Sequence, residues 1–126
     1  MDLLLDTHAF LWWDTSSPEL GQEAAAAIAD ANNRVFVSAA STWEIAIKRK
    51  LGRLDYTGST SQAIDANGFT ALPITTQQAE LVETLAPIHQ DPFDRILIAQ
   101  SLDRRLVFVT ADGKIKQYPI ALLWAR

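Results

Sequence analysis

Leu3-Leu4-Leu5-Asp6-Thr7-His8 opens the chain, and Val107-Phe108-Val109-Thr110-Ala111-Asp112 comes close to its end. Each stretch is a short apolar run that stops on a carboxylate. An apolar run without polar interruption reads as a strand buried on both faces, which belongs to a parallel sheet covered by helices. In such sheets ligands bind beyond the carboxyl ends of the strands. The two aspartates therefore fall where chemistry is done, and the question becomes which other acids join them.

Working outward, further strands are expected at Arg34–Ser38, 69–74 and 120–124, with the two quoted runs giving Asp2–Leu5 and 106–110. Between them lie helical signals. Residues 7–13 form a short helix or turn. Ser16-Ser17-Pro18 resembles a helix start, with serine as cap and proline at the first position. Leu20, Ala24, Ala27, Ile28 and Ala31 then give one apolar stripe at helical spacing, and Asn32-Asn33 ends it. Ser41 and Glu44 fit the S-x-x-E capping box. The helix after them is expected to bury Trp43, Ile47 and Leu51 and to stop at Gly52. Further helices are expected over 59–67 and from Thr75 to about Leu85. Asp91-Pro92-Phe93-Asp94 begins another, whose Ile96, Leu97, Ile98, Ala99 and Leu102 are apolar over a wide arc. Gly113–Gln117 reads as a helical turn. Alternating strands and helices, with no repeat and no linker, imply a single α/β domain spanning 1–126, with right-handed crossovers.

Composition narrows the function. The chain has 126 residues, 48% hydrophobic and 21% charged, enough to build one core. It has no cysteine, which excludes disulfides, zinc-thiolate sites and thiol nucleophiles. Asp2 and Asp6 interrupt the early apolar run, against a signal peptide. No run approaches the roughly 20 apolar residues that span a bilayer. A cytoplasmic protein without a membrane partner is expected. The net charge of -4 gives no general pull on nucleic acid.

Asp6, Glu44, Asp94 and Asp112 all fall in the first turn of an expected helix, three of them directly after a strand. In a right-handed parallel domain those helix starts share one sheet edge. Four carboxylates brought together repel, and helix N-termini offset that by only about 0.3–1 kcal/mol each. A hard divalent cation, Mg²⁺ or Mn²⁺, removes the conflict. One ion, or two about 4 Å apart, also acidifies water and neutralises a phosphate oxygen, so phosphodiester hydrolysis is the chemistry that fits.

Other readings stand beside this one. Asp6 and Asp112 can be caps, Glu44 can complete the capping box or pair with Lys48 at i+4, and Asp94 can sit at the third helical position with Asp91 as the cap. The pattern also fits a signalling domain with a phospho-accepting aspartate and Lys114 or Lys116 nearby, or a non-catalytic binding module. Lys48, Arg49, Lys50 and Arg53 form either a phosphate-binding patch or a solvated helix face. Thr7, Thr110 and Arg95 are candidate substrate contacts, or they satisfy backbone and acid groups. Trp12, Trp13 and Trp43 stack on bases or belong to core and interfaces. His8 reads as an oriented side chain, and His89, in a proline-broken connection, as exposed.

Four stretches carry a family resemblance: Leu-Leu-Asp-Thr-His-Ala-Phe-Leu-Trp-Trp at 4–13, Ser-Ala-Ala-Ser-Thr-Trp-Glu-Ile-Ala-Ile-Lys at 38–48, Asp-Pro-Phe-Asp-Arg-Ile-Leu-Ile-Ala-Gln at 91–100 and Leu-Val-Phe-Val-Thr-Ala-Asp at 106–112. In this order they resemble the PIN-domain ribonucleases, and among them the VapC-type toxins of bacterial toxin–antitoxin pairs. The resemblance implies a three-layer α/β/α sandwich with a mainly parallel central sheet. It implies Mg²⁺- or Mn²⁺-dependent cleavage of RNA, with the metal-binding and catalytic acids at Asp6, Glu44, Asp94 and Asp112. It also implies a small cognate antitoxin, homodimers and toxin–antitoxin hetero-oligomers.

Overall fold

A computed structural model describes residues 1–126. Five parallel strands form one sheet in the order β3-β2-β1-β4-β5, with β1 at Asp2–Leu5, β2 at Arg34–Ser38, β3 at Thr70–Leu72, β4 at Val107–Thr110 and β5 at Leu122–Trp124. The two sequence runs that end on aspartates are the adjacent central strands: Leu3, Leu4 and Leu5 pair with Val107, Phe108 and Val109. The helices are α1 (Thr7–Asp14), α2 (Gln22–Ala29), α3 (Ala39–Lys50), α4 (Thr60–Ala66), α5 (Thr76–Leu81) and α6 (Pro92–Arg104), with 3₁₀ turns at Val82–Thr84 and Gly113–Gln117.

The pleat divides the core into two layers. Leu3, Leu5, Val35, Val37 and Val109 face one way, toward Phe10, Ile28 and Ile64. Leu4, Phe36, Leu72 and Phe108 face the other, toward Leu97, Ile98 and Ile115. Both faces of the central strands are covered, which explains their uninterrupted hydrophobicity. The result is the expected α/β/α sandwich. No helix is long and apolar enough to cross a membrane.

Two local expectations are corrected. The helix expected from Ser16-Ser17-Pro18 begins later, at Gln22, with Gly21 as its cap residue. Ser16 takes a positive φ of 53°, and the Ser17 hydroxyl accepts the Glu19 N–H, so this stretch is a turn. What sets the helix start is the other end of the chain. The Gly21 N–H donates to the Ala125 carbonyl, and a Cβ on Gly21 would lie 2.5 Å from the Arg126 carbonyl carbon. Pattern reading along 16–21 has no access to a strand a hundred residues away.

The second correction concerns α3. Its cap is Ser38, whose hydroxyl accepts the Ala40 N–H, so the expected Ser41–Glu44 capping box does not form. Trp43 and Leu51 are not buried but 61% and 59% exposed, and Ile47 is only half-buried. The buried face of α3 runs through Ala40, Ser41, Glu44 and Ile45. Hydropathy assigns the wrong face because the inward one carries a carboxylate.

Gly21→Ala is expected to cost about 1–3 kcal/mol in urea unfolding, because the added methyl meets rigid backbone rather than a flexible side chain. A loss below a few tenths of a kcal/mol would show that the C-terminal segment does not hold α2 in this way.

Candidate active site

The acids of the sheet edge are delivered by backbone geometry. β1 and β4 are neighbours and parallel, so Asp6 and Asp112 leave the sheet on the same side. The Asp6 N–H continues the ladder by donating to Val109 O at 3.0 Å. Asp6 then caps α1, its Oδ1 accepting the Ala9 N–H at 2.7 Å. Asp112 caps the following 3₁₀ turn, its Oδ1 accepting the Lys114 N–H at 3.0 Å. Chain order also reverses here: β2 lies on one side of β1 and β4 on the other, the arrangement that opens a crevice at strand ends.

That crevice is a cleft of about 420 Å³. Asp6, Glu44, Asp94 and Asp112 all line it, as do Asp91, Lys48 and His89. Thus the four anticipated acids line one cleft, and within it the ligand atoms of Asp94, Asp112 and His89 lie within 4.8 Å of one another. Capping accounts for Asp6, Asp112 and also Asp91, whose Oδ1 accepts the Phe93 N–H at 2.9 Å. It does not account for the other two. Glu44 lies in the second turn of α3, past the free amides, and Asp94 receives no backbone N–H on its side chain. Glu44 is instead braced inside the cleft: Oε1 accepts the Thr7 hydroxyl at 2.7 Å, and Oε2 pairs with Lys48. The Thr7 oxygen also lies 3.0 Å from Ser41 Oγ.

The electrostatics record the crowding. Burial pushes the Asp6 carboxyl above its usual range, against the pull of the Ala9 amide and the Thr110 hydroxyl. Asp6 has no ion-pair partner. Asp94 is pushed up to about 7, first by burial and then by the charge of Asp91, with His89 pulling the other way. Asp112 stays below its usual range: burial raises it, but the Lys114 amide and His89 outweigh that. The basic groups at the cleft are largely engaged. Lys48 is paired with Glu44, and Arg126 with Glu19 at 2.8 Å. An oxygen-rich donor set with surplus negative charge is what a hard divalent cation prefers, so the residues fit Mg²⁺ or Mn²⁺.

Other expectations resolve one by one. His89 is not exposed. It is 7% accessible, and its Nε2 lies 2.6 Å from Asp112 Oδ2 and 3.0 Å from Asp94 Oδ2. Its signal in the sequence was its place five residues before Asp94, on the loop that must turn into α6. Arg95 does not contact the cleft. Its guanidinium donates to the carbonyls of Val82, Ala86 and His89 at 3.0, 3.2 and 2.9 Å, clamping the loop before α6. Thr110 is buried and its hydroxyl accepts the Asp112 N–H at 3.1 Å, a structural contact.

The basic cluster is divided. Lys48 faces the cleft, whereas Arg49 donates to the carbonyls of Tyr56 and Gly58. Trp13 packs partly buried against the core and donates to Asn67, and Trp43 packs on Phe93 outside the cleft. Trp12 lines the cleft and stacks with the exposed His8 at 5.9 Å. Arg126 was not anticipated: β5 runs parallel to the rest, so the residues after it arrive at the same edge. The lysines needed by a phospho-acceptor scheme do not line the cleft, and Lys116 lies over the Trp124 ring instead.

A sequence model of the PIN domain matches residues 3–121. The chain belongs to the PIN-domain family. Solved structures similar to this PIN domain include VapBC2 of Rickettsia felis bound to a promoter DNA fragment, at 13% identity and TM-score 0.71 with 98% of each chain covered. A toxin–antitoxin complex from Klebsiella pneumoniae has 19% identity and TM-score 0.63, covering 97% of this chain and 96% of the other. VapBC-1 of nontypeable Haemophilus influenzae has 17% identity and TM-score 0.63, covering 98% and 97%. At such identities the likeness is one of fold. No curated protein sequence matches the chain.

The raised Asp94 carboxyl sets a pH dependence for this PIN domain. Between about pH 4 and about pH 7 the folded chain holds a proton that the unfolded chain has released, so stability falls as pH rises through that window. Asp6 acts in the same direction, and the lowered Asp112 matters only at more acid pH. Without divalent ions, melting is expected at higher temperature at pH 5 than at pH 8. Asp94→Asn is expected to flatten this trend and raise the pH 8 melting point by a few degrees. A trend unchanged by Asp94→Asn would show that another group carries it.

Proposed function

We propose that this PIN domain is a Mg²⁺- or Mn²⁺-dependent endoribonuclease, the VapC-type toxin of a cytoplasmic toxin–antitoxin pair. The observation that carries the reading is the convergence of Asp6, Glu44, Asp94 and Asp112 on one cleft, with two of them in positions that capping does not explain. Membership of the PIN family and the fold shared with toxin–antitoxin structures support it.

Asp6, Asp94 and Asp112 are assigned to hold the ion, and Glu44 to complete the site from the α3 side. When bound, such an ion supplies an acidic water and neutralises a phosphate oxygen. The chain's own residues do the rest. Thr7 and Lys48 fix the Glu44 carboxylate, so that it does not swing out as a phosphodiester enters. Arg126 places positive charge at the cleft for the substrate backbone, exchanging its exposed pair with Glu19 for a phosphate, while Lys48 stays on Glu44. The net charge of -4 gives no general pull on RNA, so the attraction falls to local contacts and to the ion.

A protein partner is supported by a second feature. An apolar groove of about 430 Å³ runs beside α3, lined by Trp43, Ala46, Ile64, Ala71 and Leu72 among others. Exposed aromatic and aliphatic surface of this kind suits a cognate antitoxin or a second copy of the chain.

The direct test is cleavage of a mixed RNA pool. With Mg²⁺ or Mn²⁺ the wild type is expected to produce discrete RNA ends, and chelator to abolish them. Asp6→Asn and Asp94→Asn are each expected to lower the rate by about 10²-fold or more while leaving the fold intact. Full cleavage by both variants would overturn the assignment.

A further inference from the structure

His89 places a ring nitrogen between two of the four acids, 2.6 Å from Asp112 Oδ2 and 3.0 Å from Asp94 Oδ2. Atoms this close permit two arrangements. Either the imidazole is a third ligand in a site made with the two aspartates, or it is a hydrogen-bond donor that sets the two carboxylates. The opposite ring nitrogen separates them. His89 Nδ1 accepts the Asp91 N–H at 3.2 Å. A nitrogen that accepts carries no hydrogen, so the ring hydrogen sits on Nε2. A metal-ligating imidazole has the reverse polarity, with the far nitrogen donating outward.

On the reading of this cleft as an acid-held cation site, we propose that His89 is a positioning residue, whose Nε2–H donates to Asp112 and keeps Asp94 in close contact with the same nitrogen, without joining the ion. One ring nitrogen thereby stands between two like-charged carboxylates, both on residues that line the cleft.

The residue is held for this task from three directions. Asp91 is the cap of α6, followed by Pro92, so its N–H direction is fixed by entry into the helix. The His89 N–H donates to the Tyr118 hydroxyl at 2.8 Å. The His89 carbonyl accepts from Arg95 at 2.9 Å, and the same guanidinium gathers the loop from Val82 onward. Every polar group of His89 therefore has a partner, and the ring has no freedom to reverse. Asp94 and Arg95 are adjacent: one lines the cleft while the next holds the loop that brings the imidazole.

The tautomer is read first, in metal-free wild type at pH 8, from long-range proton–nitrogen NMR correlations of the histidine rings. The His89 resonances are assigned by comparison with His89→Gln. Hydrogen on Nε2 is expected. A ring with hydrogen on Nδ1 and none on Nε2 overturns the proposal whether or not the protein is a nuclease. Calorimetric titration with Mn²⁺ then compares variants. His89→Ala is expected to weaken binding roughly 10- to 100-fold. His89→Gln, whose amide nitrogen donates from a similar reach, is expected to stay within about threefold of wild type. Equal loss in both variants, no loss in either, or direct nitrogen hyperfine coupling to bound Mn²⁺ overturns the positioning role. Failure of the wild type to bind Mn²⁺ would instead remove the nuclease reading, and the positioning role with it, while the tautomer result stands on its own.

Discussion

The parallel register of β1 against β4 is the constraint on which the rest depends. Leu5 pairs with Val109, so the residues that follow each strand emerge together and on the same side. Asp6 is the first residue out of one strand and Asp112 the second out of the other. An antiparallel pairing of the same two runs would send them to opposite ends of the sheet. The deeply apolar character of both strands is what makes this register hard to slip, since a shift of one residue would exchange the two core layers.

Bringing acids to one edge creates a problem that the fold answers locally, with a different device for each acid. Asp6 is met by an amide at the start of α1 and a threonine hydroxyl. Glu44 is met by Thr7 and Lys48. Asp112 takes an amide and an imidazole, and stays ionised readily. Asp94 has the imidazole alone among these aids and a neighbouring aspartate against it, and its carboxyl rises to about 7. The site is thus graded rather than uniform. Asp6 and Asp94 are raised while Asp112 is lowered, and one imidazole lies against both Asp94 and Asp112.

Much of this was open to sequence reading, and the reasons are specific. Uninterrupted apolar runs announced buried parallel strands, and Asp91-Pro92 announced the start of α6 because a capping carboxylate before proline has few other uses. The failures share one cause. Each involved a residue held by a contact that hydropathy and periodicity do not encode. Glu44 points inward to meet Thr7, so the buried face of α3 is not its apolar face. Gly21 begins α2 because Ala125 docks there. Arg95 resembles a substrate-binding arginine until the carbonyls of the 82–89 loop are seen around it. His89, isolated between prolines, gave no periodic signal at all.

Two of the misread residues share a location. His89 and Arg95 belong to the cleft or its support, where local preference yields to the demands of the site. Arg95 illustrates why a charged side chain can matter to a site it never touches. A guanidinium offers five N–H groups in a rigid fork, so it can gather several carbonyls of an irregular loop that has no ladder to satisfy them. Lysine at that position keeps the charge but not the fork, and a loop with unsatisfied carbonyls would no longer hold His89 at a fixed distance from Asp94 and Asp112. The accuracy of the acid cluster is therefore set not only by the helices and strands that carry it, but by the one irregular segment that the sheet cannot discipline.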